Sequence, residues 1–276
     1  IMQTGATPIF VECDAETLQV DVNSIEKKIT SKTKAIMAVH LYGHPCEMQK
    51  ILELCKTRDL LLVEDCAEAL GSRIGTRHVG TYGDVATFSF FGNKTITTGE
   101  GGMVVSPHKK IIEKVNLLKS QAVSKEIEYW HSGLGYNYRM TNICAAIGLA
   151  QLEAVDKILK MKRSVASFYQ TELTELPLRH HSESVDTTHS YWMNSIILDD
   201  EMHRDALRKH LKEAGIETRP FFYPAHQFDH CKSEERFVVS ERVSKCGINL
   251  PSYPMLEPDQ LLKICNAIKN YVGRNK

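Results

Sequence analysis

Short apolar runs alternate with helical patterns through the first half of the chain. Thr7 to Val11 reads as a strand. Val22 to Ile29 reads as a short helix with Ile25 and Ile29 on one face. The unbroken apolar run from Ala35 to His40 predicts a strand buried on both faces, as in a parallel sheet. Met48 to Cys55 has helical spacing, and a strand at Leu60 to Glu64 follows. Two more strands are expected at Val85 to Phe90 and Gly102 to Ser106. Short buried strands separated by helices predict an α/β layer architecture.

Lys109 to Gln121 is helical and charged. Thr141 to Met161 carries the strongest helical pattern, with Ile143, Ala146, Ile147, Ala150, Leu152, Val155, Ile158 and Leu159 at helical spacing. Its first half is small and apolar, so that end is expected to be deeply buried or to lie at a subunit interface. The whole helix is expected to connect two domains. Beyond it the rhythm changes. Trp192 to Leu198 reads as a strand and Asp205 to Ala214 as a helix, with Gly215 where a C-terminal cap belongs. Pro220 to Pro224 and Pro251 to Pro258 read as loops, and Asp259 to Val272 as a closing helix. The expected division is a large α/β domain over 1–160 and a smaller α+β domain over 161–276.

Composition narrows the function classes. Lys plus Arg and Asp plus Glu stand at 34 each, a balance that argues against a general nucleic-acid binder. No apolar run has the length of a membrane span. Eight cysteines are scattered without a CxxC pair, which fits reduced thiols in a cytoplasmic protein and gives no metal site.

The chemistry concentrates between Glu64 and Gly102. Glu64-Asp65-Cys66-Ala67-Glu68 follows an apolar strand, at the strand end where open α/β sheets bind ligands. Asp65 suits either a helix N-cap or a partner for a protonated ring nitrogen. Glu68 would share its face if a helix began there. Ser89, near the next strand end, can donate a hydroxyl to a phosphate. Lys94 lies between two buried-looking strands among Thr95, Thr97 and Thr98. An amine there requires a charged partner or must give up its proton, and a Schiff-base lysine meets both conditions. Thr98-Gly99-Glu100-Gly101-Gly102 is neither a dinucleotide fingerprint nor a Walker loop, which argues against a nucleotide-dependent dehydrogenase. Two later segments are also polar: Gly135 to Thr141, and the rigid loop Arg219-Pro220-Phe221-Phe222-Tyr223-Pro224-Ala225-His226. The loop suits a carboxylate, phosphate or sugar, or else a packed proline corner.

With these motifs in place, the sequence resembles the DegT/DnrJ/EryC1/StrS sugar aminotransferases. The resemblance rests on Glu64-Asp65 with Ala67 and Gly71, Gly80 with Gly83-Asp84, Phe88-Ser89-Phe90 through Lys94, and Thr98 to Gly102. It extends to His40-Leu41-Tyr42-Gly43, Tyr136 to Met140 and His189-Ser190-Tyr191-Trp192. Within the family it most resembles the branch that forms GDP-perosamine, through Cys66 to Ala69, Phe90 to Thr97, Tyr129-Trp130-His131 and Asn142 to Gly148.

The resemblance implies an aspartate-aminotransferase-like (fold type I) α/β enzyme, with a mixed, mostly parallel sheet. Its cofactor would be pyridoxal 5'-phosphate. Its substrates would be a GDP-linked 4-keto-6-deoxy sugar and L-glutamate. Lys94 would carry the cofactor as a Schiff base and move protons. Asp65 would face the pyridine nitrogen, Glu68 the region of the phenolic oxygen, and Ser89 the phosphate. Asn137 would reach the cofactor of a neighbouring subunit, giving a homodimer with shared active sites that can pair into a tetramer. Trp130, His131, Arg219, Tyr223 and His226 would contact substrate. Related dehydratases have histidine at the position of Lys94, so Lys94 points to transamination. Family members also carry a segment ahead of the Gly5 to Phe10 strand, so the sequence is expected to be a fragment. The alternatives are an aminotransferase acting on another nucleotide-linked keto-sugar, and an inactive truncated relative with a binding or assembly role.

Overall fold

The computed structural model describes residues 1–274. The chain runs through helix α1 (Val22–Lys28), strand β1 (Ala35–Val39), helix α2 (Met48–Arg58) and strand β2 (Leu61–Asp65). Short strands β3 (Arg73–Ile74) and β4 (Arg77–His78) precede β5 (Val85–Ser89) and β6 (Gly102–Val105). Helices α3 (Lys109–Lys119), α4 (Asn142–Glu153) and α5 (Val155–Glu172) follow. The last part holds β7 (Leu178–His180), β8 (Thr187–Thr188), β9 (Asn194–Leu198) and α6 (Met202–Glu213). It continues with β10 (Arg219–Pro220), α7 (Val238–Cys246), β11 (Gly247–Leu250) and α8 (Pro258–Arg274).

Strands β1, β2 and β5 are parallel, and β6 closes that sheet antiparallel to β5, in the order β1-β2-β5-β6. Asp65 pairs with Thr87, so the C-terminal ends of β2 and β5 lie side by side. Below the sheet, Ile36, Ala38 and Leu62 pack on Met48, Ile51, Leu54 and Cys55 of α2 and on Ile25 of α1. Asp21 caps α1 by accepting the N–H groups of Asn23 and Ser24, donors a helix start would otherwise leave unpaired. The expectation that β1 is buried on both faces does not hold. Its burial alternates, and Met37, Val39 and the neighbouring Leu61 are exposed. One sheet face is covered by helices and the other is open among the described residues.

The second sheet is antiparallel, in the order β10-β11-β9-β7. Its core joins Ile196, Leu198, Ile248 and Leu250 to Leu207 and Leu211 of α6, Val165 and Tyr169 of α5, and Leu261, Ile264 and Ile268 of α8. A small sheet, β4-β3-β8, ties the two parts together. Gly215 takes a positive φ just after α6, as a C-terminal cap requires.

Two further expectations are corrected. Thr7 to Val11 forms no ladder; the bridge nearest to it joins Cys13 and Val20. The long connector helix is two helices, because Ala154 leaves helical geometry at φ −101°, ψ 5°. Of the two settings expected for the apolar first half, α4, deep burial within the chain does not hold, since Ile143, Ile147, Leu149 and Leu152 are exposed. Helix α7 and strand β11 lie between the two Pro-rich loops, where the sequence reading assigned no element. No helix among the described residues is long and apolar enough to cross a membrane.

Candidate active site

The site forms where β2 and β5 end. Past Asp65 the chain enters successive turns, with Ala69 N–H on the Cys66 carbonyl and Ser72 N–H on that of Ala69. No helix starts there, so the expected shared helix face of Asp65 and Glu68 is absent. Asp65 instead closes a tight turn, its Oδ1 accepting the Ala67 N–H at 3.0 Å. That leaves Oδ2 available to another donor. Ser89 accepts the Phe91 N–H at 3.3 Å, so its hydroxyl proton is free to donate.

Glu68 and Lys94 come together. Lys94 Nζ stands 3.7 Å from Glu68 Oε1, and both side chains are largely buried. The other carboxylate oxygen of Glu68 accepts the Tyr42 N–H at 2.8 Å. Burial pushes the Glu68 carboxyl up to about 7, against the Tyr42 bond and the Lys94 charge, which act in the opposite direction. Glu68 can therefore hold or release a proton near neutrality. Behind the lysine lies an aromatic floor. Lys94 Nζ sits over the Trp192 ring, 4.1 Å from its centroid. Trp192 stacks on Tyr42, which in turn stacks on Phe222 and donates nothing to it: the Phe222 N–H donates to the Tyr42 hydroxyl at 2.9 Å.

Backbone geometry lets these groups meet. Tyr42 has a positive φ of 58° and Gly43 one of 101°. A Cβ on Gly43 would lie 2.4 Å from Ser190 Oγ and 3.0 Å from the Trp192 nitrogen, so only glycine permits this approach. Helix α4 reaches the lysine loop through Gln151, whose Oε1 accepts the Thr97 N–H at 2.9 Å. Thr95 Oγ1 in the same loop is buried with no hydrogen-bond partner.

Beneath the site, Glu64 is fully buried and saturated. It accepts the N–H groups of Gly80, Tyr82 and Gly83 at 2.6–2.7 Å and faces His40 Nε2 at 3.1 Å. Burial alone would raise its carboxyl, but His40 and the backbone donors outweigh that and hold it below the ordinary range. His40 Nδ1 accepts the Cys46 N–H, which puts the proton on Nε2. His40, Glu64 and Cys66 are close enough together for a metal, yet Glu64 and His40 are already committed to these hydrogen bonds.

The remaining candidates lie apart from this cluster in their bonding. Trp130, His131 and Asn137 are exposed in the segment after α3 and bond within it: His131 Nδ1 to the Gln121 carbonyl, and Asn137 in a bridge with Ser120. Arg219 is exposed and pairs with Glu217, and Tyr223 is exposed. His226 is buried against Glu241 at 3.3 Å, so it anchors its loop rather than presenting a ring to solvent. Sequence reasoning noted Tyr42 and Trp192 only as parts of motifs and assigned neither a place in the site.

A model of the DegT/DnrJ/EryC1/StrS aminotransferase family matches residues 1–269. The chain belongs to that family. It is 55% identical over 276 residues to a GDP-perosamine synthase of Vibrio cholerae, covering 98% of this chain and 75% of that protein. It is 52% identical to a GDP-perosamine synthase of Escherichia coli O157:H7, over 98% of this chain and 74% of that one. The fold superposes on the aminotransferase TlmJ of Streptoalloteichus hindustanus with a TM-score of 0.95 at 27% identity, covering all of this chain and 75% of that one. The fold is thus that of fold-type I aminotransferases, and the enzyme transfers amino groups with pyridoxal phosphate as cofactor. The donor set at the strand ends suits that cofactor: a carboxylate with a free oxygen, a hydroxyl with a free proton, and an amine beside a protonatable acid.

Proposed function

We propose that this chain converts GDP-4-keto-6-deoxy-D-mannose to GDP-perosamine with L-glutamate as amino donor. The observation that carries the chemistry is the Lys94 amine, held between Glu68 and Trp192 at the ends of two parallel strands. The sugar is argued from the two GDP-perosamine synthases, each more than half identical to this chain.

When bound, pyridoxal phosphate supplies an electron sink for the carbanion formed as a proton leaves the amino-bearing carbon. The residues do the rest. Lys94 Nζ anchors the cofactor and shuttles that proton. Asp65 Oδ2 keeps a ring nitrogen protonated, Ser89 donates to the phosphate, and Glu68 faces the ring oxygen. Asn137 serves the neighbouring subunit's site in a homodimer that can pair further. The exposed apolar side of α4, with Ile143 and Ile147 one turn apart, supports that assembly. Arg219 and Tyr223 are read as sugar or donor ligands, with Trp130 and His131 beside them, and His226 as the anchor of their loop. The two separate apolar cores support a large domain to residue 160 and a small domain from 161. The enzyme is read as cytoplasmic.

The test is product analysis. The full chain, supplied with pyridoxal phosphate, L-glutamate and the GDP-linked ketone, should yield a GDP-linked 4-amino sugar and 2-oxoglutarate in equal amounts. A deoxygenated sugar without nitrogen would make it a dehydratase, and turnover of UDP or TDP sugars alone would overturn the substrate.

A further inference from the structure

Resting on the reading of Lys94 as the reactive amine, we propose that Trp192 is a positioning residue whose indole face seats that amine whenever it is not covalently engaged. Four residues form a closed ring. Glu68 accepts the Tyr42 N–H, the Tyr42 ring stacks on Trp192 at an interplanar angle of 13°, Trp192 lies under Lys94, and Lys94 returns to Glu68.

Trp192 is held on three sides. Its indole N–H donates to the Asn93 carbonyl at 2.8 Å, in the peptide that joins Asn93 to Lys94. Its own carbonyl accepts Lys162 Nζ at 3.2 Å, and the same ammonium donates to the Ser252 carbonyl at 2.8 Å. The residue is 4% exposed and packs in a cluster with Tyr42, Ile197 and Phe221. An indole so constrained offers a fixed negative face, and a largely desolvated ammonium over it is attracted by the ring quadrupole. The seat gives the freed amine one place to return to, within reach of Glu68. That shortens its search for the reacting carbon relative to a lysine swinging in an open cleft.

The seat is tested by weakening the ring face without changing its size. The chain has two tryptophans, Trp130 and Trp192. In a Trp130→Phe background, tryptophan is replaced by mono-, di- and tri-fluorinated analogues, which keep the indole N–H and the packing volume. Labelling of Lys94 by an amine-selective acylating reagent is then followed by peptide mass spectrometry in the full chain without cofactor. Surface Lys109 serves as the internal standard. We expect the Lys94 rate to climb with each fluorine, by about 3- to 10-fold across the series. Trp192→Phe should fall inside that range, and kcat should decline along the series with KM held within about twofold. A flat or falling series overturns the proposal. The labelling needs no cofactor, so it is read independently of the assigned chemistry. Absence of cofactor attachment at Lys94 in the unsubstituted chain would sink the earlier reading while leaving the labelling result to stand or fall by itself.

Discussion

Two glutamates at the end of the same strand meet opposite fates. Glu64 lies under the sheet and Glu68 at its lip, four residues on, and both are largely buried. Glu64 has three backbone N–H donors and a histidine N–H, and its carboxyl is held below the ordinary range. Glu68 has one backbone donor and an amine at 3.7 Å, and burial pushes it up to about 7. Burial is common to both, so the number of hydrogen bonds on the charged form decides the outcome. The saturated carboxylate is fit to hold the Gly80–Gly83 turn in place. The undersupplied one is fit to exchange a proton.

The comparison can be broken at the lysine. Lys94→Ala should abolish cofactor attachment and lower turnover by about 10³-fold or more, with circular dichroism unchanged. Turnover near the parent rate would remove Lys94 from the chemistry. Next in size is Glu64→Ala, which strands three buried donors and His40. It should cost about 3–5 kcal/mol in denaturant unfolding. A loss below about 1 kcal/mol would mean the turn does not depend on this carboxylate.

The two carboxylates should also differ in the sign of their pH dependence. The Glu68 pKa is raised in the folded chain, so the folded state holds the extra proton. Its stabilising share is full below about pH 4.5 and is lost as pH rises through about 7, a change of about 3 kcal/mol. The Glu64 pKa is lowered, so its share is present above about pH 4.5 and is lost as pH falls through its folded value. Unfolding midpoints of the parent and Glu68→Gln, measured from pH 4 to 8, isolate the first effect by difference. The parent should lose stability relative to the variant across that range, and parallel curves would show that Glu68 does not titrate there.

How much of this was readable in advance follows from the range of each interaction. Lys94, Ser89 and the Glu64–Glu68 block were legible because chemistry at strand ends is local: an apolar run, a turn and a polar side chain are adjacent in sequence. Strands β2, β5 and β6 were placed to within a residue or two for the same reason. The split at Ala154 was not legible, since alanine and its neighbours suit a helix and nothing local marks a break. Trp192 was not legible as part of the site because its contacts with Asn93 and Lys94 span about a hundred residues. His226 looked like a ligand in sequence, and only Glu241, fifteen residues away, shows what its ring bonds to.

The smallest effect on the fold, and the sharpest question about the loop, comes from Arg219. Its guanidinium and the Glu217 carboxylate that pairs with it at 2.7 Å are both exposed. Such pairs contribute little, so Arg219→Ala should change stability by less than about 0.5 kcal/mol. A charge kept in solvent at no structural gain is available to a ligand. If the Arg219 loop receives the nucleotide sugar or the donor, the same substitution should raise the KM of one of them by about 10- to 100-fold with kcat nearly unchanged, as loss of a charge-assisted hydrogen bond requires. Which KM moves tells which substrate the loop receives. If neither moves, the loop belongs to the scaffold with His226.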